Sequence, residues 1–186
     1  MEIRLARDLD YDSIVDGEGI RTVIWTQGCV HKCPMCHNPE THSFSGGFLV
    51  DTATIKEELS RLEHQDGITL SGGDPLYQVE PILDICKYAK SINLNVWCYT
   101  GFLFDDLLKR IDKEPLLKEL LQNIDVLVDG EFMIDKKSFD VIFRGSSNQR
   151  IIDVKESLRE NKPIELEKYK TNNMNNMRKF ARKTYV

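Results

Sequence analysis

The chain has no apolar run approaching the ~18 residues that a membrane-crossing helix requires, so no transmembrane segment is expected. Its first residues, Met1-Glu2-Ile3-Arg4-Leu5-Ala6-Arg7-Asp8, contain acids and no apolar h-region, which argues against a secretory signal. The expected compartment is the reducing cytoplasm, where clustered cysteines serve as metal or redox groups rather than disulfides. An excess of basic residues is also missing. The net charge of −5 and pI near 5.4 lack the footprint of a nucleic-acid binder, and neither a nucleic-acid nor a membrane partner is expected. There is no internal repeat and no second close pair of cysteines.

What is present suits one soluble globular domain: 186 residues, 41% apolar and 30% charged, are enough for a full core and too few for two ordinary domains. The charge is unevenly spread. Residues 155–186 hold nine Lys/Arg against four Glu, leaving residues 1–154 with sixteen basic and twenty-six acidic side chains. The chain is therefore expected to divide into a body, 1–154, and a basic, Asn-rich tail, 155–186. That tail clusters Asn172, Asn173, Asn175 and Asn176, carries no acid after Glu167, and reads as peripheral or partly disordered.

Within the body, strand-length apolar runs alternate with segments of helical period. Strands are expected at Thr22 to Thr26, Gly67 to Leu70, Leu94 to Cys98, Asp125 to Val128, Val141 to Phe143 and Arg150 to Asp153. Ile55, Leu59 and Leu62 fall on one helical face behind a possible Asp51 N-cap, and Val79, Ile82, Cys86 and Ala89 repeat the pattern. Leu103 to Ile111 and Leu116 to Leu121, the latter opened by Pro115, supply further helix. Such an order implies a parallel sheet, open or curled into part of a barrel. The polar and Gly-rich segments fall after the strands: the cysteine loop, Ser71 to Pro75, Tyr99 to Gly101, Asp129 to Glu131 and Arg144 to Asn148. In parallel α/β folds that edge is the usual active-site face, so these loops are expected to converge.

Cys29, Cys33 and Cys36 stand in the string C-V-H-K-C-P-M-C directly after the first of those strands. Two readings make them ligands. One is a structural zinc closed by His31 or His37. The other is a [4Fe-4S] cluster with three irons held by thiolates and the fourth open to a substrate. A third reading, core packing, sits poorly with Lys32 and Pro34 alongside. Zinc sites commonly use two ligand pairs, and Cys86 and Cys98 lie in apolar helix and strand settings, so the spacing favours the open cluster.

Cys29-x-x-x-Cys33-x-x-Cys36 after one strand, with Gly72-Gly73-Asp74-Pro75 after the next, resembles the radical S-adenosylmethionine (SAM) superfamily. Asp16 to Thr22, Gln27-Gly28-Cys29 and Cys36 to Thr41 are similar to the activating enzymes of glycyl radical enzymes. Trp97 to Gly101, Leu127 to Phe132 and Phe143 to Arg150 resemble the branch serving anaerobic ribonucleoside-triphosphate reductase. The likeness spans about residues 12 to 153. It departs at Glu18, where the family often has proline, and at Met35, where many members carry an aromatic residue.

The resemblance implies an α/β fold: a parallel-stranded partial (incomplete) TIM-type barrel of the radical SAM type, open on one side. It implies a [4Fe-4S] cluster on Cys29, Cys33 and Cys36, with SAM as second cofactor. Gly72, Gly73 and Asp74 would contact the SAM amino end, the backbone of Met35, Cys36 and His37 the adenine, and Thr100 and Asp129 the neighbourhood of the SAM carboxylate. The implied reaction is reductive cleavage of SAM, followed by removal of a hydrogen atom from a glycine of the reductase large subunit. A reduced flavodoxin or similar protein would donate the electron. Activation of another glycyl radical enzyme such as pyruvate formate-lyase, a small-molecule radical SAM reaction and a zinc-stabilised binding module are the alternatives.

Overall fold

The computed structural model describes residues 1–170 of the chain. It opens with β1 (Glu2–Leu5), β2 (Asp10–Ser13), β3 (Arg21–Thr26) and β4 (Phe48–Asp51), then α1 (Thr52–Ser60), β5 (Gly67–Gly72), α2 (Val79–Ser91) and β6 (Asn95–Tyr99). There follow α3 (Phe104–Arg110), α4 (Pro115–Gln122), β7 (Val126–Asp129), β8 (Arg150–Asp153), α5 (Val154–Glu160) and α6 (Glu167–Lys170). Residues 171–186, including the clustered asparagines, lie outside the described residues.

The strands form one sheet in the order β4-β1-β3-β5-β6-β7-β8, with β2 also paired to β3. At its centre β3, β5, β6 and β7 run parallel. β1 and β2 are antiparallel to β3, β4 is antiparallel to β1, and β8 is antiparallel to β7. The fold is thus mixed α/β with a mostly parallel central sheet that does not close.

The four central strands fall within a residue or two of their expected limits, because each is an apolar run buried on both faces. The expected N-cap holds as well: the Asp51 carboxylate accepts from the Ala53 amide at 2.8 Å and starts α1. Three corrections follow. Val141 to Phe143 is a turn, not a strand. Phe143 takes φ of 55° and turns its ring edge-on to Trp97 and Tyr169, so side-chain packing overrides local strand preference. Arg150 to Asp153 is a strand, but it runs against its neighbour. The short strands β1, β2 and β4 were not expected: β2 and β4 are largely exposed, and β1 turns Ile3 and Leu5 inward over only four residues.

Alternation along the central strands separates two cores. Ile24, Ile68, Leu70, Val96, Cys98, Leu127 and Ile152 pack with helix residues such as Ile55, Leu59, Ile82, Leu107, Leu120 and Val154. On the opposite face, Trp97, Val126, Val128 and Ile151 form a smaller cluster completed by Tyr169. The division expected at residue 154 falls at the first residue of α5. Beyond it, the chain pairs with β8: the Asp153 amide donates to the Ile164 carbonyl and the Leu166 amide to Ile151, both at 2.8 Å. Tyr169 is buried and donates its hydroxyl to Glu18 at 2.9 Å.

Candidate functional site

The loop after β3 folds back on the strand it leaves. Gly28 donates its amide to Thr41 at 2.8 Å and Cys29 donates to His42 at 3.1 Å, while the Gln27 amide group donates to Ser43 at 2.6 Å. Lys32 and Met35 adopt left-handed backbone, with φ of 48° and 58°, so Cys29, Cys33 and Cys36 lie on a tightly turned segment. All three thiols are free and half-buried. They line one wall of a cavity of about 410 Å3 at the carboxyl ends of the parallel strands. Burial pushes the Cys29 and Cys33 thiols above the ordinary cysteine value, and a bound cation would favour their thiolate forms.

The loop after β5 is pressed against the loop after β3. The Gly73 amide donates to the Thr26 carbonyl at 2.7 Å, and the Asp74 amide donates to the Gly28 carbonyl at 2.9 Å. A Cβ on Gly73 would stand 2.4 Å from the Gly28 carbonyl oxygen, and Gly72 has φ of 99°. The glycine pair is what lets the two loops touch, and both glycines line the cavity.

Asp74 is 1% exposed and does not line the cavity. Its carboxylate accepts from the Thr100 hydroxyl at 2.8 Å, the Gly101 amide at 3.0 Å, the Leu76 amide at 3.0 Å and His31 Nε2 at 2.9 Å. The other ring nitrogen of His31 meets the Glu131 carboxylate at 3.0 Å, and the ring lies against Gly101 and Phe102. With acids on both sides, the imidazole is held above its ordinary pKa, chiefly by its hydrogen bond to Asp74. One side chain of the cysteine loop therefore ties together the ends of β5, β6 and β7.

Thr100 lines the cavity, but its hydroxyl is committed to Asp74 and to the Phe102 amide at 3.2 Å. Asp129 lies behind the cavity, fully buried. It caps α3 through the Phe104 amide at 2.8 Å and pairs with Arg150, whose Nε donates at 3.0 Å. Met35 is 75% exposed, whereas Cys36 and His37 line the cavity, with the His37 ring 4.7 Å from that of Phe132. The segment from Arg144 to Gln149 does reach the cavity, although no strand precedes it. Because β8 is antiparallel, its entry lies where its neighbours exit.

Among the described residues, no group of three His, Cys, Asp or Glu side chains is gathered for a single metal ion. His31 is engaged by two carboxylates and His37 packs on Phe132, so neither completes a closed Cys3His zinc site. Three thiols on one cavity wall without a fourth protein donor fit a [4Fe-4S] cluster. Three contributors escaped sequence reasoning: His31 as a brace, Asp16 on the cavity wall and Glu131 as a His31 partner. The available signal for His31 was a histidine between two cysteines facing an acid at the next strand end.

Residues 15–152 match the family described as a 4Fe-4S single cluster domain, which places the chain among iron-sulfur proteins. The anaerobic ribonucleoside-triphosphate reductase-activating protein of Haemophilus influenzae is 35% identical over 146 residues, covering 74% of this chain and 90% of that protein. The protein of the same name from Enterobacteria phage T4 is 35% identical over 157 residues, covering 77% and 93%, and that of Escherichia coli K12 is 35% identical over 145, covering 73% and 90%. The chain belongs to the anaerobic ribonucleoside-triphosphate reductase-activating protein family.

Proposed function

We propose that this chain activates the large subunit of an anaerobic ribonucleoside-triphosphate reductase by forming a glycyl radical on it. The supporting observation is that Cys29, Cys33 and Cys36 share one cavity with the Gly72-Gly73 backbone. The three cysteines would hold a [4Fe-4S] cluster. Such a cluster, reduced by a flavodoxin or similar donor, would supply the electron for reductive cleavage of SAM to methionine and a 5′-deoxyadenosyl radical, which would take hydrogen from the reductase glycine.

The chain's own residues bind and orient. The backbone of Gly72 and Gly73 would meet the amino end of SAM, and the backbone of Met35, Cys36 and His37 its adenine. Asp74, Thr100 and Asp129 belong to the same SAM site, and their hydrogen bonds within the protein give them the task of fixing the strand ends that surround it. The sheet that does not close is read as an incomplete TIM-type barrel of the radical SAM type, whose open side admits the glycine-bearing segment. Residues 1–154 would carry the activity and 155–186 an appendage to it, in a cytoplasmic protein. No helix among the described residues is long and apolar enough to cross a membrane.

Electron paramagnetic resonance tests this reading directly. Reconstituted, reduced protein is mixed with SAM and either the reductase or pyruvate formate-lyase. A glycyl signal on the reductase alone is expected, and it should vanish with Cys29→Ser, Cys33→Ser or Cys36→Ser together with most of the bound iron. SAM turnover without any signal on the reductase would overturn the partner assignment.

A further inference from the structure

Among the described residues, four large apolar side chains stand far out of the surface: Phe139 at 90% exposed, Met35 at 75%, Val15 at 71% and Ile14 at 69%, with no other above 52%. All four belong to loops that wall the cavity. Ile14 and Val15 lie between β2 and β3, where Val15 and Asp16 line it, and Met35 stands between the lining residues Cys33 and Cys36. Phe139 belongs to the connection of residues 130–149 between β7 and β8, whose two ends supply Gly130, Glu131, Phe132, Arg144, Gly145 and Gln149 to the wall. Single exposed apolar side chains are ordinary, but their gathering on the loops of one cavity marks a contact surface.

The connection that carries Phe139 is braced. The Ser147 amide donates to the Lys136 carbonyl at 2.9 Å, Lys137 and Ser146 pair as an antiparallel bridge, and the Met133 amide donates to the Ser146 hydroxyl at 3.2 Å. At its root, the Asn148 and Gln149 side chains donate to the Glu131 and Gly130 carbonyls at 2.9 and 3.0 Å. Phe139 lies between the two bridged residues in sequence, and the Lys137 ammonium stands 5.3 Å from its ring centroid. A phenyl ring that a braced loop keeps in water is buried only when a partner arrives, and little ordering of the loop then remains to be done.

Phe139, Met35 and Ile14 do not themselves line the cavity, so a small substrate seated there would leave them bare. A protein whose reacting segment enters the cavity must lay its own surface over the surrounding loops. We propose that Phe139 after β7 and Ile14 before β3 are the anchors on which the reductase large subunit docks, each entering an apolar recess of that protein. β3 and β7 are the outer members of the parallel set, so the two anchors grip from either end of it. This rests on the reading of the chain as an activase of that reductase. It places recognition of the partner on the rim and SAM chemistry within the cavity.

Calorimetric titration of the iron-loaded protein, with SAM present, against the reductase large subunit tests this, beside SAM cleavage by the chemically reduced protein without a partner. Phe139→Ser should weaken reductase affinity by about tenfold or more and Ile14→Ser by about threefold to tenfold, both leaving partner-free SAM cleavage and the melting temperature at wild-type values. Phe139→Leu, which keeps an apolar anchor, should recover most of the affinity. Reductase affinity equal to wild type in both serine variants overturns the proposal. So does an equal loss of affinity and of partner-free cleavage, which would make these side chains part of the cavity's own architecture. A wild type that self-associates through Phe139, with reductase affinity unchanged in Phe139→Ser, gives the rim to a second copy instead. Wild type that cleaves SAM yet binds no reductase overturns the activase reading and the docking surface with it, a result distinct from the others.

Discussion

His31 Nε2 lies 2.9 Å from the Asp74 carboxylate, so the cysteine loop and the loop after β5 are joined by a side chain as well as by backbone. Replacing His31 by alanine removes a donor from a nearly fully buried acid and should lower the unfolding free energy by about 1–3 kcal/mol. Urea denaturation of the iron-free protein measures this. His31→Gln, which can still donate to one acid, should recover part of the loss, and an alanine midpoint equal to wild type would show that the brace contributes nothing.

Gly73→Ala forces a methyl group to within 2.4 Å of the Gly28 carbonyl oxygen, where backbone rather than a flexible side chain must give way. A loss of about 2 kcal/mol or more is expected, along with poorer iron retention, because the displaced loop carries Cys29. Thermal melting and iron content of the variant after reconstitution report the two effects separately. Normal values for both would mean that the loops part freely.

For Asp129→Asn the expected change lies in stability. Its carboxylate is fully buried against Arg150 and the start of α3, so neutralising it weakens both contacts while Arg150 keeps Asp105, and should cost about 1–3 kcal/mol. Any loss of SAM affinity should accompany the loss of stability; a selective loss of SAM affinity with normal stability would instead put Asp129 in direct touch with the ligand.

The central strands, the Asp51 cap and the gathering of loops at one edge were legible in the sequence because each has a local cause. Apolar runs make buried strands, an acid ahead of an apolar period caps a helix, and parallel strands send their following loops to one side. The direction of β8 was not legible: Arg150 to Asp153 reads the same whether the strand runs up or down. Nor was the inward commitment of Asp74 and Asp129, since a motif gives a residue's address and not its hydrogen-bond partners. The turn at Phe143 was hidden because its cause, the rings of Trp97 and Tyr169, is remote in sequence.

Tyr169 fills the cluster of Trp97, Phe143, Val128 and Ile151, and its hydroxyl is tied to Glu18. Tyr169→Ala should cost about 3 kcal/mol, whereas a surface change such as Lys162→Ala should be near neutral. Chemical denaturation of both variants decides whether the residues after 154 are integral to the body; a neutral Tyr169→Ala would mark them as an appendage in energy as well as in sequence.

Asp84 joins α1 to α2 by accepting from the Thr52 hydroxyl at 2.6 Å and from Lys56 Nζ at 2.8 Å, and these bonds hold its carboxyl below the usual aspartate value. A depressed folded-state pKa stabilises at pH above the unfolded aspartate value of about 4 and is lost as pH falls through the lower folded value. Wild type should therefore exceed Asp84→Asn by about 0.5–1 kcal/mol at neutral pH, with the difference fading in acid. Denaturation midpoints of the two proteins from pH 7 down to about 3 check the sign, and a gap that widens on acidification would contradict it.

The segment around Glu165 lies along β8, with the Asp153 and Leu166 amides both donating across the junction. Without it, β8 would be a bare sheet margin, able to recruit the same margin of a second molecule. That segment thus acts as a sealing strip along the margin of β8. A protein shortened ahead of Ile164 would lay that margin bare, and its first liability would be self-association rather than altered chemistry.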